Sequence, residues 1–189
     1  MVRRIVVGIS GASGALYGVR LLERLARRED VETHLVVSRA GEKTLHHETG
    51  LLLRDVREKA DHSYSIEEVG AAIASGSFLT DGMVIAPCSV NTLSAIAYGM
   101  AANLLVRAAD VTLKERRRLV LMVRESPLHL GRLRAMAAVP EMGAIVAPPM
   151  PDFYNRPSTV EEVVEQGAGR VLDLLGLSDE ATKRWAGEG

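Results

Sequence analysis

The chain has 189 residues, of which 47% are hydrophobic and 25% charged, with a formal net charge of −1. These proportions exclude a disordered or collagen-like chain and predict one soluble domain over 1–189, with 176–189 as a C-terminal tail. The near-zero charge argues against a nucleic-acid binder built on a basic surface, and the lone cysteine, Cys88, excludes an internal disulfide framework and points to a reducing cytoplasm.

The opening Met1-Val2-Arg3-Arg4-Ile5-Val6-Val7 is too short for a signal-peptide core of roughly 7–15 apolar residues. A first strand is predicted over 3–8. Helix 16–28 follows, with Leu21, Leu22 and Leu25 on one face and Arg20, Glu23, Arg24, Arg27 and Arg28 mostly on the other. A second strand over 32–38 leads into a helix over 39–49. Residues 50–74 show no clear period and read as loop with short helices. A third strand over 82–87 precedes helices 90–100 and 103–117. The uncharged stretch 82–106 is broken by Pro87, Asn91 and Asn103, so it reads as a buried strand and helix and not as a membrane span, which needs about 20 mostly apolar residues. Next come strand 119–124, helix 128–138 and a short strand over 144–147. A long helix over 158–175 closes the series, with Ser158 as N-cap, Glu161 in capping-box position and Gly176 as its stop. Strand–helix alternation with near-continuous apolar strands predicts an α/β chain, a three-layer α/β/α fold around a parallel sheet.

Ligands in such sheets bind beyond the carboxyl ends of the strands. After the first strand comes Gly8-Ile9-Ser10-Gly11-Ala12-Ser13-Gly14-Ala15. Its small residues admit close backbone approach and the helix start favours an anion; a plain tight turn is the alternative. The spacing is neither G-x-G-x-x-G nor a P-loop. The second strand ends at Ser38-Arg39 with no acidic residue for a ribose diol, so a standard NAD site is disfavoured. After the third strand, Ser89, Val90, Asn91 and Thr92 either bind a polar ligand or cap the helix, and Cys88 suits a small buried hydrophobe. Arg124-Glu125 follows the next strand, facing the same crevice or forming a surface ion pair. Arg107 and Lys114 lie two helical turns apart and share a face; Arg116-Arg117-Arg118 reads as a solvated edge. Tyr154 sits in the proline-bounded loop Pro151–Pro157. Arg170, in an apolar stretch, is expected to be buried with an anionic partner. Trp185 would pin the tail to the body or to a neighbouring subunit. His46 and His47 are adjacent and lack partner ligands, so no metal site is expected, and no nucleophile-elbow motif is present.

Six segments in order resemble one family, the UbiX-type flavin prenyltransferases: Gly8–Ala15, Ala74-Ser75-Gly76-Ser77-Phe78, Ala86-Pro87-Cys88-Ser89, Arg107–Val111, Leu113–Arg117 and Pro151–Pro157. The resemblance implies a Rossmann-like flavoprotein fold, a homo-oligomer (typically a dodecamer), and transfer of a dimethylallyl group from dimethylallyl phosphate to N5 and C6 of reduced FMN without a required metal. The prenylated FMN would then serve a UbiD-type decarboxylase. It also implies FMN contacts from Gly11, Ala12, Ser13, Ser38, Ser89, Val90, Asn91, Thr92 and Arg124. Lys114, Tyr154 and Arg170 would hold the prenyl phosphate, with Arg107 as helper, and Trp185 would cover the prenyl site. Glu48 and Glu125 would handle protons, and Ser13 would assist transfer near N5. The chain departs from the family pattern at Arg132-Leu133-Arg134-Ala135-Met136, where His-Leu-x-Asn-Met is common. Two other readings are a flavin-dependent cysteine decarboxylase, which would need a catalytic His and an Asn-rich motif, and a non-catalytic FMN-delivery subunit.

Overall fold

The computed structural model describes residues 2–178, 182–185 and 187; the rest of the expected 176–189 tail lies outside the described residues. The apolar runs form strands β1 (Arg3–Ile9), β2 (Val31–Val37), β4 (Gly82–Cys88) and β5 (Arg118–Val123), with two short strands, β3 (His62–Tyr64) and β6 (Ala144–Val146), beside them. All neighbours run parallel, in the order β3-β2-β1-β4-β5-β6. Parallel pairs require crossovers. These contain helices α1 (Ala15–Leu25), α2 (Arg39–Thr49), α3 (Leu53–Arg57), α4 (Val90–Ala97), α5 (Leu104–Lys114) and α6 (Leu130–Glu141), and α7 (Val160–Leu174) follows the last strand.

Side chains alternate across each strand, so both faces of the sheet are apolar. Ile5, Val7 and Ile9 pack with Leu21, Leu22 and Leu25 of α1 and with Ala168, Val171 and Leu172 of α7. Val6, Ile85 and Leu121 pack with Leu93, Leu105 and Ala109 of α4 and α5 and with Val139 of α6. The result is the expected three-layer α/β/α fold. Among the described residues no helix is long and apolar enough to cross a membrane.

Helix α1 reaches the sheet through Gly18, where an added Cβ would overlap the Ala86 carbonyl oxygen. Backbone cannot retreat as a flexible side chain can. Gly18→Ala is therefore expected to cost about 2 kcal/mol as an overpacking change. At about 2–4 °C per kcal/mol for a chain of this size, the midpoint should fall by about 4–8 °C. Scanning calorimetry checks this, and an unchanged midpoint would contradict the close packing.

Several boundaries differ from the sequence expectation. β3 was hidden in 50–74 because its three residues are polar; Asp61 beside it accepts both the amide and the hydroxyl of Thr33, at 2.7 and 2.8 Å. α4 stops at Ala97, short of Gly99 with its φ of 67°, and α5 stops at Lys114, just before Arg116 takes a left-handed φ of 57°. Arg117 is not part of a solvated edge, since its guanidinium donates to the carbonyls of Gly76 and Phe78 and to the Thr80 hydroxyl. α7 is capped by Thr159 and not Ser158; the Thr159 hydroxyl accepts the Glu162 amide. The Ser158 amide and hydroxyl instead go to the Glu162 carboxylate, so the capping acid is Glu162 and not Glu161. Gly176 ends the helix as expected, at φ 74°.

Candidate active site

The strand order reverses between β1 and β4, and there the loops following β1, β2, β4 and β5 open a crevice of about 450 Å³. Its walls hold Gly11, Ala12 and Ser13, then Ser38 and Ala40, then Ser89, Val90, Asn91 and Thr92, then Arg124 and Glu125. All the residues expected to contact FMN converge here.

Short local bonds explain the shape. Buried Ser10 donates its hydroxyl to the Pro87 carbonyl at 2.9 Å and accepts the Ser89 amide at 2.7 Å, tying the first loop to the third. Gly11 packs so closely on α2 that a side chain would overlap Ala40. Ser38 caps α2 by accepting the Gly41 amide at 2.9 Å, and Ser89 caps α4 by accepting the Thr92 amide at 3.3 Å. Two helix N-termini and the Arg124 guanidinium thus border one small-walled crevice, a donor set suited to an anionic, flat ligand such as FMN.

The third helix start, at α1, already has its anion. Glu48 on α2 accepts the amides of Gly14 and Ala15, both at 2.9 Å. Burial alone would raise its pKa. The Ser13 hydroxyl, the Ala15 and Gly14 amides and the charge of Arg124 outweigh that, and the carboxyl sits below its ordinary 4.5. Its two amide hydrogen bonds make Glu48 a brace for the 11–14 turn. A depressed native pKa adds stability that is full above the ordinary pKa and is lost as pH falls through the native value. Wild type should therefore exceed Glu48→Gln in thermal midpoint at neutral pH, and the gap should close on acidification below about 4.5. Paired melts across pH test this; a pH-independent gap would show that charge plays no part.

The remaining expected site residues do not line this crevice. Helices α5 and α7 run antiparallel to the strands and carry their last residues to the amino-terminal edge of the sheet. Lys114 ends α5 there, paired with Glu115 and lying against Gly76. Arg107, on the same helix, pairs with Asp110 at 2.9 Å. Tyr154 and Trp185 meet edge to face at 5.6 Å on the far side of α7, both exposed. Arg170 is not buried as expected: its side chain is 65% exposed and lies 3.6 Å from Asp173. The chain thus presents three separate groups, namely the crevice, the α5 pair, and the α7 and tail residues, where Arg170 lies beside Asp173 and Trp185 meets Tyr154.

Sequence reading missed the Ser10 staple, whose only local signal is a hydroxyl at a strand end. It also missed a cluster of Glu32, His34 and His62, whose ligand atoms lie within 4.8 Å of one another. That cluster satisfies itself. Glu32 accepts Arg4 at 3.0 Å and His34 at 2.9 Å, while Tyr64 lies 3.0 Å from the other His34 nitrogen. Burial, the largest influence, lowers the His34 pKa despite Glu32. Burial thus favours the neutral imidazole, Arg4 balances the carboxylate, and the group lies toward the amino-terminal edge, away from the crevice. Cys88 is fully buried, with its thiol pushed up to about 12, which removes it as a nucleophile.

The sheet order and the crevice at its switch point define a Rossmann-like ligand-binding fold, and residues 2–172 match the Flavoprotein family model. The chain is 52% identical over 187 residues to the flavin prenyltransferase UbiX of Escherichia coli K12, covering 98% of this chain and 99% of that one. AnUbiX (PadA1), in complex with FMN and dimethylallyl pyrophosphate, has a TM-score of 0.97 at 46% identity, covering 100% of both chains. A dodecameric FMN-dependent UbiX-like decarboxylase from Escherichia coli O157:H7 has a TM-score of 0.95 at 47% identity, covering 97% of this chain and 100% of that one. The chain belongs to the UbiX family of flavin prenyltransferases.

Proposed function

We propose that this chain prenylates FMN, joining the dimethylallyl group of dimethylallyl phosphate to N5 and C6 of the reduced flavin. The observation that carries the reading is the convergence of Gly11, Ala12, Ser13, Ser38, Ser89–Thr92, Arg124 and Glu125 on one crevice at the switch point. Reduced FMN, when bound, supplies the nucleophilic positions. The residues supply the rest. The two helix N-termini and Arg124 hold the anionic ligand. The allylic C–O bond breaks as the carbon–flavin bond forms, and Lys114, Arg170, Tyr154 and Arg107 take the charge that develops on the departing phosphate. The faces of Tyr154 and Trp185 stabilise the cationic prenyl fragment. The departing phosphate would take the N5 proton and return it to the prenyl double bond, so that the second bond can close at C6 while Glu125 accepts the C6 proton; Glu48 braces the turn that presents Ser13, and Ser13 assists near N5.

Because the three groups stand apart within one chain, each complete site draws Lys114 and Arg170 from neighbouring copies, and the enzyme works as a homo-oligomer, a dodecamer like its relative. The product serves a UbiD-type decarboxylase, and the enzyme works in the cytoplasm. The cysteine-decarboxylase alternative gains less support, since the cysteine decarboxylase TvaF matches at 18% identity against 52% for the flavin prenyltransferase.

The test is anaerobic incubation with reduced FMN and dimethylallyl phosphate, with and without chelator, and with the pyrophosphate in parallel. Flavin heavier by one C5H8 unit is expected with or without chelator. Unmodified flavin under saturating donor would favour a delivery subunit and overturn the reading.

A further inference from the structure

We propose that Asp173 is a positioning residue that sets two members of the prenyl-phosphate site at once, Arg170 one turn before it and Trp185 on the tail. The proposal rests on the reading of Tyr154, Arg170 and Trp185 as that site.

Asp173 lies in the last turn of α7 with its side chain only 9% exposed. Both carboxylate oxygens are taken by one guanidinium: Arg184 donates from Nη1 to Oδ2 at 2.6 Å and from Nη2 to Oδ1 at 2.7 Å. This fork-on-fork pairing fixes direction as well as distance. The Arg184 hydrogen bond is the first cause holding the Asp173 carboxyl below its ordinary value, and the Ser178 hydroxyl adds to it. Arg170 Nη1 approaches the same Oδ2 but stops at 3.6 Å, within ion-pair range and beyond a hydrogen bond.

The asymmetry has a chemical consequence. A carboxylate this enclosed cannot be left without a cation. Arg184 occupies both of its oxygens, so Arg170 can turn its exposed guanidinium to a phosphate without stranding Asp173. The carboxylate meanwhile keeps Arg170 oriented along the outer face of α7.

The same clamp sets the tail. Arg184 directly precedes Trp185 in the chain, so fixing its guanidinium fixes the backbone one residue from the indole. Two further bonds hold this stretch: Gln166 donates to the Lys183 carbonyl at 2.6 Å, and buried Arg24 donates to the Thr182 hydroxyl at 3.1 Å. Trp185 then meets the Tyr154 ring. Asp173 thereby links the phosphate-gripping cation to the aromatic pair that faces the prenyl chain.

Trp185 is the only tryptophan, so intrinsic fluorescence reports the tail directly. Asp173→Asn, Arg184→Gln, Asp173→Glu and Arg170→Ala are compared as FMN-loaded protein. Asp173→Asn should raise KM for dimethylallyl phosphate about tenfold, the scale of one lost charged hydrogen bond. kcat should fall by no more than a similar factor, because Arg170 and Trp185 also act on the charges that develop in the transition state, with unchanged FMN affinity. Acrylamide quenching of Trp185 should rise in step. Arg184→Gln should raise both quenching and KM, and Asp173→Glu should recover much of each. If Arg170→Ala leaves KM unchanged, the site reading itself fails. If Arg170→Ala raises KM while Asp173→Asn and Arg184→Gln leave KM and quenching at wild-type values, the positioning role alone fails. Greater quenching with unchanged KM refutes the coupling, as does a KM increase accompanied by an equal loss of FMN affinity.

Discussion

Glu125→Gln is expected to lower turnover by about a hundredfold to ten-thousandfold, the range of a lost general base, while FMN remains bound. The two carboxylates near the crevice stand in different surroundings. Glu48 is committed to the Gly14 and Ala15 amides and the Ser13 hydroxyl, and its carboxyl is held below the ordinary value. A base so well satisfied gives up hydrogen bonds to take a proton. Glu125 lines the crevice, is exposed, and accepts only the adjoining Ser126 amide at 3.1 Å among its described hydrogen bonds. The neutral amide keeps its shape and the hydrogen-bond acceptor but cannot hold the proton. Residual turnover then runs through the departing phosphate, so the loss should be large and incomplete. Stopped-flow turnover alongside flavin titration measures both quantities. A fall in FMN affinity matching the fall in rate would turn Glu125 into a flavin contact; full activity would move the base elsewhere.

The contrast between these two residues also shows what the sequence could reveal. The crevice was legible because each of its walls is a short local motif directly after an apolar strand: Gly11-Ala12-Ser13, Ser38, Ser89–Thr92, Arg124-Glu125. A parallel sheet then brings strand ends together whatever lies between them. β3 was illegible because His62-Ser63-Tyr64 has no apolar run, and its place comes from Asp61 reaching Thr33, 28 residues away. The exposure of Arg170 was misread for a periodic reason. Val171 and Leu172 turn to the sheet, but at about 100° per residue their neighbour need not follow. The pairing of Glu48 with α1, and of Asp173 with Arg184, joins side chains across a fold that no local pattern encodes. The separation of Lys114 from the crevice is of the same kind, since it follows from the direction in which α5 crosses the sheet.

That separation gives the second large effect. Lys114→Ala should lose about a hundredfold or more in turnover, as for removal of one donor that stabilises a developing oxyanion. Mixed with Glu125→Gln, however, it should regain activity. Glu125 lines the crevice of its own chain, whereas Lys114 sits at the amino-terminal edge of the sheet beside Gly76. The proposed site requires a closed assembly with heterologous contacts, in which the surface carrying Lys114 on one copy meets the crevice of the next. Co-expression of the two inactive variants in equal amounts then leaves about a quarter of sites with both native side chains, because the two positions are drawn independently from different copies. Differently tagged variants, purified through both tags, should therefore show about a quarter of wild-type turnover per site, far above either parent. Mixed assemblies no more active than their parents would place Lys114 and Glu125 in the service of the same chain's crevice, or remove Lys114 from the site. Trp185→Phe mixed with Glu125→Gln extends the logic to the tail: restoration is expected if Trp185 joins Arg170 in serving a neighbour, and its absence would keep Trp185 with its own chain's crevice.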